Sequence, residues 1–188
     1  MIAGVDEVGR GPLAGPVVTA AVILPENYVL PRLTDSKKLT AKRREILAHS
    51  IKQQAISWAL GEASIEEIDE INILNATLLA MQRAVRNLSI TPTKILVDGN
   101  RTPEFSVPAE AIVGGDGIEP CISAASIIAK VARDQIMLDY SKSYPDYGFE
   151  RNSGYPTKQH IEALNQFGVT PIHRRSFGPV KKLILSAQ

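Results

Sequence analysis

The chain has 188 residues, 44% of them hydrophobic and 22% charged, with a formal net charge of +1. That profile belongs to an ordinary folded domain and excludes a disordered, collagen-like or strongly polyionic chain. No apolar run approaches the ~20 residues that cross a bilayer, no signal-type leader is visible, and the one cysteine, Cys121, can form no internal disulfide, so a reducing, cytoplasmic setting is expected.

In chain order, residues 1–7 read as a strand, and residues 16–24 (PVVTAAVIL) as a second one, too apolar for an exposed face. The tight connection from Gly9 to Gly15 makes them antiparallel neighbours. Leu39 to Gln53 has helical spacing, with Leu39, Ile46, Leu47 and Ile51 on one side, Lys42, Arg43 and Arg44 on the other, and Thr40 as N-cap. Residues 55–60 alternate enough for a third strand.

Ser64-Ile65-Glu66-Glu67 fits a capping box, opening a helical region to about Leu88 that breaks near Ile71-Asn72. Lys94-Ile95-Leu96-Val97-Asp98 is a strand closed by a carboxylate, followed by a short strand at 110–113 and the turn Gly114-Gly115-Asp116-Gly117. A helix from Cys121 to about Lys142 starts with Ser123-Ala124-Ala125-Ser126, small enough to pack closely on a sheet. Thr157 caps a last clear helix ending at Phe167, before a tail containing Pro, Arg and Gly. These elements predict an α/β fold, a mixed sheet flanked by helices, in one domain spanning 1–188 with a basic C-terminal helical extension from about 150.

The acids carry the chemistry. Asp6 and Glu7 end one apolar strand and Asp98 another, and ligands gather where such strands end. Like charges about 4 Å apart repel by roughly 4 kcal/mol at an effective dielectric of about 20, a cost that a hard divalent cation removes. Adjacent strand residues face opposite ways, so Asp6 and Glu7 cannot aim at one spot from a regular strand; a bend at Gly9 or the Glu7 backbone carbonyl would resolve this. Oxygen donors without His or Cys favour Mg²⁺ or Mn²⁺, and Asp116 could supply a further ligand. Each acid also has a plain alternative: Asp98-Gly99 as a hairpin turn, Asp116 as a turn former, Glu7 as a surface charge.

Gly9-Arg10-Gly11 could offer backbone N–H groups to a phosphate or sugar. Its continuation to Ala14 matches a loose dinucleotide pattern, but Pro12 and the strand after it stand where a helix must start. Lys37-Lys38, Arg43-Arg44, Arg174-Arg175 and Lys181-Lys182 are candidate phosphate contacts or solvated charges. Tyr155, on a polar loop, can stack on a sugar or base. His49, His160 and His173 read as surface or cap residues. Net charge is +3 over residues 1–60, −7 over 61–150 and +5 over 151–188, as suits an acidic pocket beside basic surface for a phosphate ester.

Six segments together resemble bacterial ribonuclease HII over nearly the whole chain: residues 4–12 (GVDEVGRGP), 35–39 (DSKKL), 96–100 (LVDGN), 123–130 (SAASIIAK), 153–156 (SGYP) and 174–177 (RRSF). The resemblance implies a ribonuclease H-like fold with a small C-terminal helical extension. It implies hydrolysis of the RNA strand of RNA–DNA hybrids, including cleavage 5′ of single ribonucleotides in duplex DNA, leaving 3′-hydroxyl and 5′-phosphate ends. By the same resemblance Asp6, Glu7, Asp98 and Asp116 are the metal-binding and catalytic acids, holding one Mg²⁺ or Mn²⁺ without substrate and two with it. Gly9, Arg10 and Gly11 sense the ribose 2′-hydroxyl, and Tyr155 packs on the sugar. Lys37, Lys38, Arg174 and Arg175 lie in matching segments and stay candidate substrate contacts. The Gly-Arg-Gly-Pro form separates the chain from type III relatives. The family usually has a basic residue two before the fourth acid, where this chain has Gly114, so the choice between Asp116 and Asp134 stays open. The expected partner is a hybrid or a ribonucleotide-containing duplex met by a monomer away from membranes; a replication clamp is left open.

Overall fold

The structure, a computed structural model, describes residues 1–31, 33, 36 and 39–187. Its strands are β1 (Ile2–Val8), β2 (Val17–Ile23), β3 (Ser57–Ala63), β4 (Lys94–Asp98) and β5 (Ala109–Ile112). Its α-helices are α1 (Ala41–Gln54), α2 (Ile65–Arg86), α3 (Pro120–Ser143), α4 (Phe149–Asn152), α5 (Lys158–Phe167) and α6 (Gly178–Ser186). The strands form one sheet in the order β3-β2-β1-β4-β5. β1–β2 and β2–β3 are antiparallel, whereas β1–β4 and β4–β5 are parallel.

Strand alternation assigns the two faces. Ala3, Val5, Ile95 and Val97 pack with Met81 and Ala84 of α2, while Ala20 and Val22 pack with α1 and with Ala124 to Ala129 of α3. Both helices come unusually close. A Cβ on Gly4 would stand 2.2 Å from the Cys121 carbonyl carbon, and one on Gly61 would stand 2.3 Å from the Ala80 carbonyl oxygen. β3 accordingly runs past residue 60, where the sequence suggests it stops: Gly61 is a seat for α2, and pairing continues to Ala63 opposite Val17.

The predicted caps form. The Thr40 and Thr157 side chains accept from Arg43 N–H and His160 N–H. Ser64 and Glu67 make the reciprocal capping box, and Arg83, which hydrogen-bonds Glu67, together with the Ser64 N–H pulls the Glu67 carboxyl down to about 2. α2 breaks at Asn72, whose φ is 68° and whose side chain accepts from Asn75 N–H to start the second half. Ile46, expected on the buried side of α1, is 61% exposed, and Leu47, Ala48 and Ile51 make the contact instead.

The tail holds α6, and the segment from residue 147 onward folds back on the molecule. Tyr147, Phe149, Leu164, Ile172 and Val180 share a cluster with Leu13, Ala14 and Met137. Among the described residues no helix is long and apolar enough to cross a membrane.

Candidate active site

Parallel pairing of β1 with β4 sets Val5 opposite Val97. The next residue on each strand is a carboxylate, so Asp6 and Asp98 leave the sheet side by side on its α3 face. Asp116 arrives from the 3₁₀ turn Gly115–Gly117, made possible by Gly114 in the left-handed region (φ 71°). The turn is tied in place: Asp116 N–H donates to Asp98 Oδ1 (3.3 Å), and Ser123 Oγ donates to the Asp116 carbonyl (2.6 Å). One oxygen from each of Asp6, Asp98 and Asp116 lies within 4.8 Å of the others. Asp6 is only 5% exposed and Asp116 only 9%. Asp134, the alternative to Asp116, lies elsewhere, paired with Lys130 and Arg44.

Glu7 faces the other way, as strand geometry requires. It lines a cleft with Arg10, Leu74, Thr77, Asp98 and Arg101, and its carboxylate is 3.6 Å from the Arg10 guanidinium. Burial, then the charges of Glu7 and Asp98, hold the Asp6 carboxyl well above the usual carboxylate range, against lowering hydrogen bonds from Ser126 and the Glu7 N–H. Burial also raises Glu7, with Arg10 opposing and Asp98 adding to the rise. The site is therefore short of positive charge. Its donors are all hard carboxylate oxygens, a set that fits Mg²⁺ or Mn²⁺ and does not suit zinc or copper.

Beside the acids runs the Gly9–Gly15 loop, with Tyr155 above it: a Cβ on Gly11 would be 3.4 Å from the Tyr155 ring, and Tyr155 is 40% exposed. The loop is stitched to later chain by Leu13 N–H to the Gly154 carbonyl (2.8 Å), Gly15 N–H to Ile172 (2.9 Å) and Arg174 N–H to Leu13 (2.8 Å).

Several sequence expectations change here. Arg174, expected as a phosphate contact, has no exposure, and its guanidinium donates to the carbonyls of Gly9, Arg10 and Gly15. Arg175 is exposed, its backbone N–H held by Asp69. Lys37 and Lys38 lie outside the described residues. His49 is at the surface, but His160 and His173 are buried and joined Nε2 to Nε2 at 3.0 Å. Arg133 carries no sequence motif. Its signal was positional: it interrupts the stripe Ala129-Arg133-Met137, spaced by four along α3, where only a satisfied polar group can stay.

The family model for ribonuclease HII matches residues 3–180. Ribonuclease HII of Shewanella halifaxensis (strain HAW-EB4) is 60% identical over 182 residues, covering 97% of this chain and 90% of the relative. Among solved structures, the ribonuclease H2 of Pyrococcus horikoshii OT3 superposes with a TM-score of 0.82 at 29% identity, over 98% of this chain and 97% of that one. The ribonuclease HII of Archaeoglobus fulgidus, solved with PCNA, gives 0.77 at 28% identity, over 93% and 92%.

Proposed function

The chain belongs to the ribonuclease HII family, and from that premise we propose an endonuclease that hydrolyses the RNA strand of RNA–DNA hybrids and cuts 5′ of single ribonucleotides in duplex DNA. The observation that carries this reading is the meeting of Asp6, Asp98 and Asp116 beside the Gly9–Gly15 loop and Tyr155. Asp6, Asp98 and Asp116 would hold divalent ions from the α3 face of β1, and Glu7 would complete the set from the other. When bound, two such ions supply an activated water and stabilise the departing 3′-oxygen, leaving 3′-hydroxyl and 5′-phosphate ends.

The chain's own groups do the rest. Buried Asp6, hydrogen-bonded by the Glu7 N–H at 2.7 Å, is fixed before substrate arrives, so little reorganisation is needed at the moment of reaction. Backbone N–H groups of the Gly9-Arg10-Gly11 turn read the ribose 2′-hydroxyl, and a site built to bond that group leaves its own polar atoms unpaired on DNA. Tyr155 offers a ring face to the sugar, and exposed Arg175 a charge to a phosphate. The working unit is one chain, with a sliding clamp the partner class suggested by the Archaeoglobus complex.

The test is cleavage of a DNA duplex containing one ribonucleotide, with Mg²⁺, with Mn²⁺ and with chelator. Cutting 5′ of the ribonucleotide that chelation abolishes is expected. Equal cutting of an all-DNA duplex, or cutting in chelator, would refute the reading.

A further inference from the structure

Arg133 and Arg174 are both entirely buried, and both guanidiniums are spent on backbone carbonyls. Arg133 donates to Pro16 (3.0 Å), Ser153 (2.9 Å) and Ala14 (3.0 Å). Arg174 donates to Gly15 (2.9 Å), Arg10 (3.0 Å) and Gly9 (2.6 Å). Two desolvated like charges are a costly way to fill a core; apolar side chains of similar volume commonly serve stability as well or better. What the pair supplies that apolar residues cannot is a fixed orientation for the peptide planes of one loop.

The carbonyl and N–H of a planar trans peptide point in opposite directions. With the Gly9 carbonyl drawn inward to Arg174, the N–H of Arg10 turns outward; with the Arg10 carbonyl drawn inward, the N–H of Gly11 turns outward too. Neither N–H donates to a backbone acceptor among the described residues. We propose that Arg174, braced by Arg133, is a positioning residue for ribonucleotide recognition, aiming the Arg10 and Gly11 N–H groups together at the oxygen of an incoming ribose 2′-hydroxyl. The inference rests on the function proposed above and assigns the aim of that loop to a residue that never meets substrate.

The mount for Arg174 is rigid on both sides. Its own N–H is bonded to Leu13, and the two residues after it are gripped by Asp69, which accepts from Arg175 N–H (2.9 Å), Ser176 N–H (2.9 Å) and Ser176 Oγ (2.6 Å). Gly9 fits the same account. Its φ is 93°, and a Cβ there would stand 2.1 Å from Arg133 Nε, so a side chain would push the brace away.

Arg174→Lys keeps a charge but loses the fork that reaches three carbonyls. On a duplex with one ribonucleotide in Mg²⁺, its kcat should fall about tenfold or more, as when an oriented donor is lost, with KM and duplex binding in Ca²⁺ within about threefold. Val180→Ala, a core change on the buried face of α6 with a comparable loss of thermal midpoint, should keep kcat within about twofold. A folded Arg174→Lys variant with wild-type kcat overturns the proposal, as does an equal kcat loss in Val180→Ala. Side-chain ¹⁵N NMR of the wild-type protein covers the case in which the lysine variant does not fold: slowly exchanging, inequivalent Arg174 Nη protons are expected, and fast exchange overturns it. A wild-type protein that leaves the one-ribonucleotide duplex uncut would instead defeat the functional reading.

Discussion

Asp6, Asp98 and Asp116 crowd their charges into a site where burial leaves little water to screen them, which makes each acid costly to the metal-free fold and, under the function proposed above, needed for cleavage. Asp98→Asn should lower Mg²⁺-dependent cleavage roughly a thousandfold, the rate equivalent of several kcal/mol of charge stabilisation. It should also raise the thermal midpoint of the metal-free protein by relieving repulsion. Turnover assays and melting curves check both, and a variant that cleaves normally would remove Asp98 from the mechanism. The raised Asp6 and Glu7 carboxyls give a linked expectation. Their contribution to stability is greatest below the unfolded carboxylate pKa and is lost as pH rises through the higher folded values, so millimolar Mg²⁺ or Mn²⁺ should raise the melting temperature more at pH 8 than at pH 5. Tyr155→Ala should cost more in cutting at a lone ribonucleotide than in stability, because the ring stands 40% exposed; matched losses in both assays would assign it to packing.

Element by element, the sheet is a device for delivering two carboxylates to one place, and its accuracy depends on how closely α3 lies on β1. Gly4→Ala would drive a methyl to 2.2 Å from the Cys121 backbone. It should destabilise the fold by on the order of 3 kcal/mol, the upper end of overpacking costs, and weaken metal binding two residues away. Gly178→Ala, with no atom within 4 Å of the added methyl, should change the urea midpoint little. Most elements were legible in the sequence because each carries a local signal: β-branched runs at β1, β2 and β4, the Ser64 capping box, and the break at Asn72. The β3 end was not, because Gly61 looks like a stop when its partner Ala80 is out of sight. α6 fits the helical extension expected at the C-terminus, but its bounds are not legible, since Pro179 resembles a breaker although it occupies the first turn of a helix, where its missing N–H costs nothing. The site divided the same way. Asp6, Asp98 and Asp116 announce themselves by following apolar strands or sitting in a glycine turn, whereas the duties of Arg133 and Arg174 exist only through partners far away in sequence.

Across the whole molecule, the segment beyond α3 is tied together internally by a buried histidine pair, beside the point where His173 bridges Ala14. His160 Nδ1 faces the Tyr155 carbonyl (2.9 Å) and must carry a proton to bond it, so its Nε2 accepts from His173; His173 Nδ1 in turn accepts from Thr170 N–H (3.1 Å). This chain of bonds has no place for a further proton. Burial, together with the neighbouring His160, pushes His173 down to about 4, and burial lowers His160. Because the unfolded chain takes up these protons near pH 6.5, stability should be full above that value and fall as the solution is acidified toward pH 4, by on the order of 3 kcal/mol. Urea midpoints measured across that interval test this, and a flat profile would show that the pair is not held neutral. The histidines looked like surface residues in the sequence because thirteen positions part them, and nothing local declares that their rings touch.

The guanidinium of Arg174 grips carbonyls 164 and 165 positions earlier. During synthesis the amino-terminal turn therefore leaves the ribosome long before its clasp exists, and the nascent polypeptide is expected to remain unable to tell ribose from deoxyribose until that late arginine has emerged and docked. A premature stop between α5 and Arg174 would accordingly yield a product that keeps Asp6, Asp98 and Asp116 but lacks the clasp.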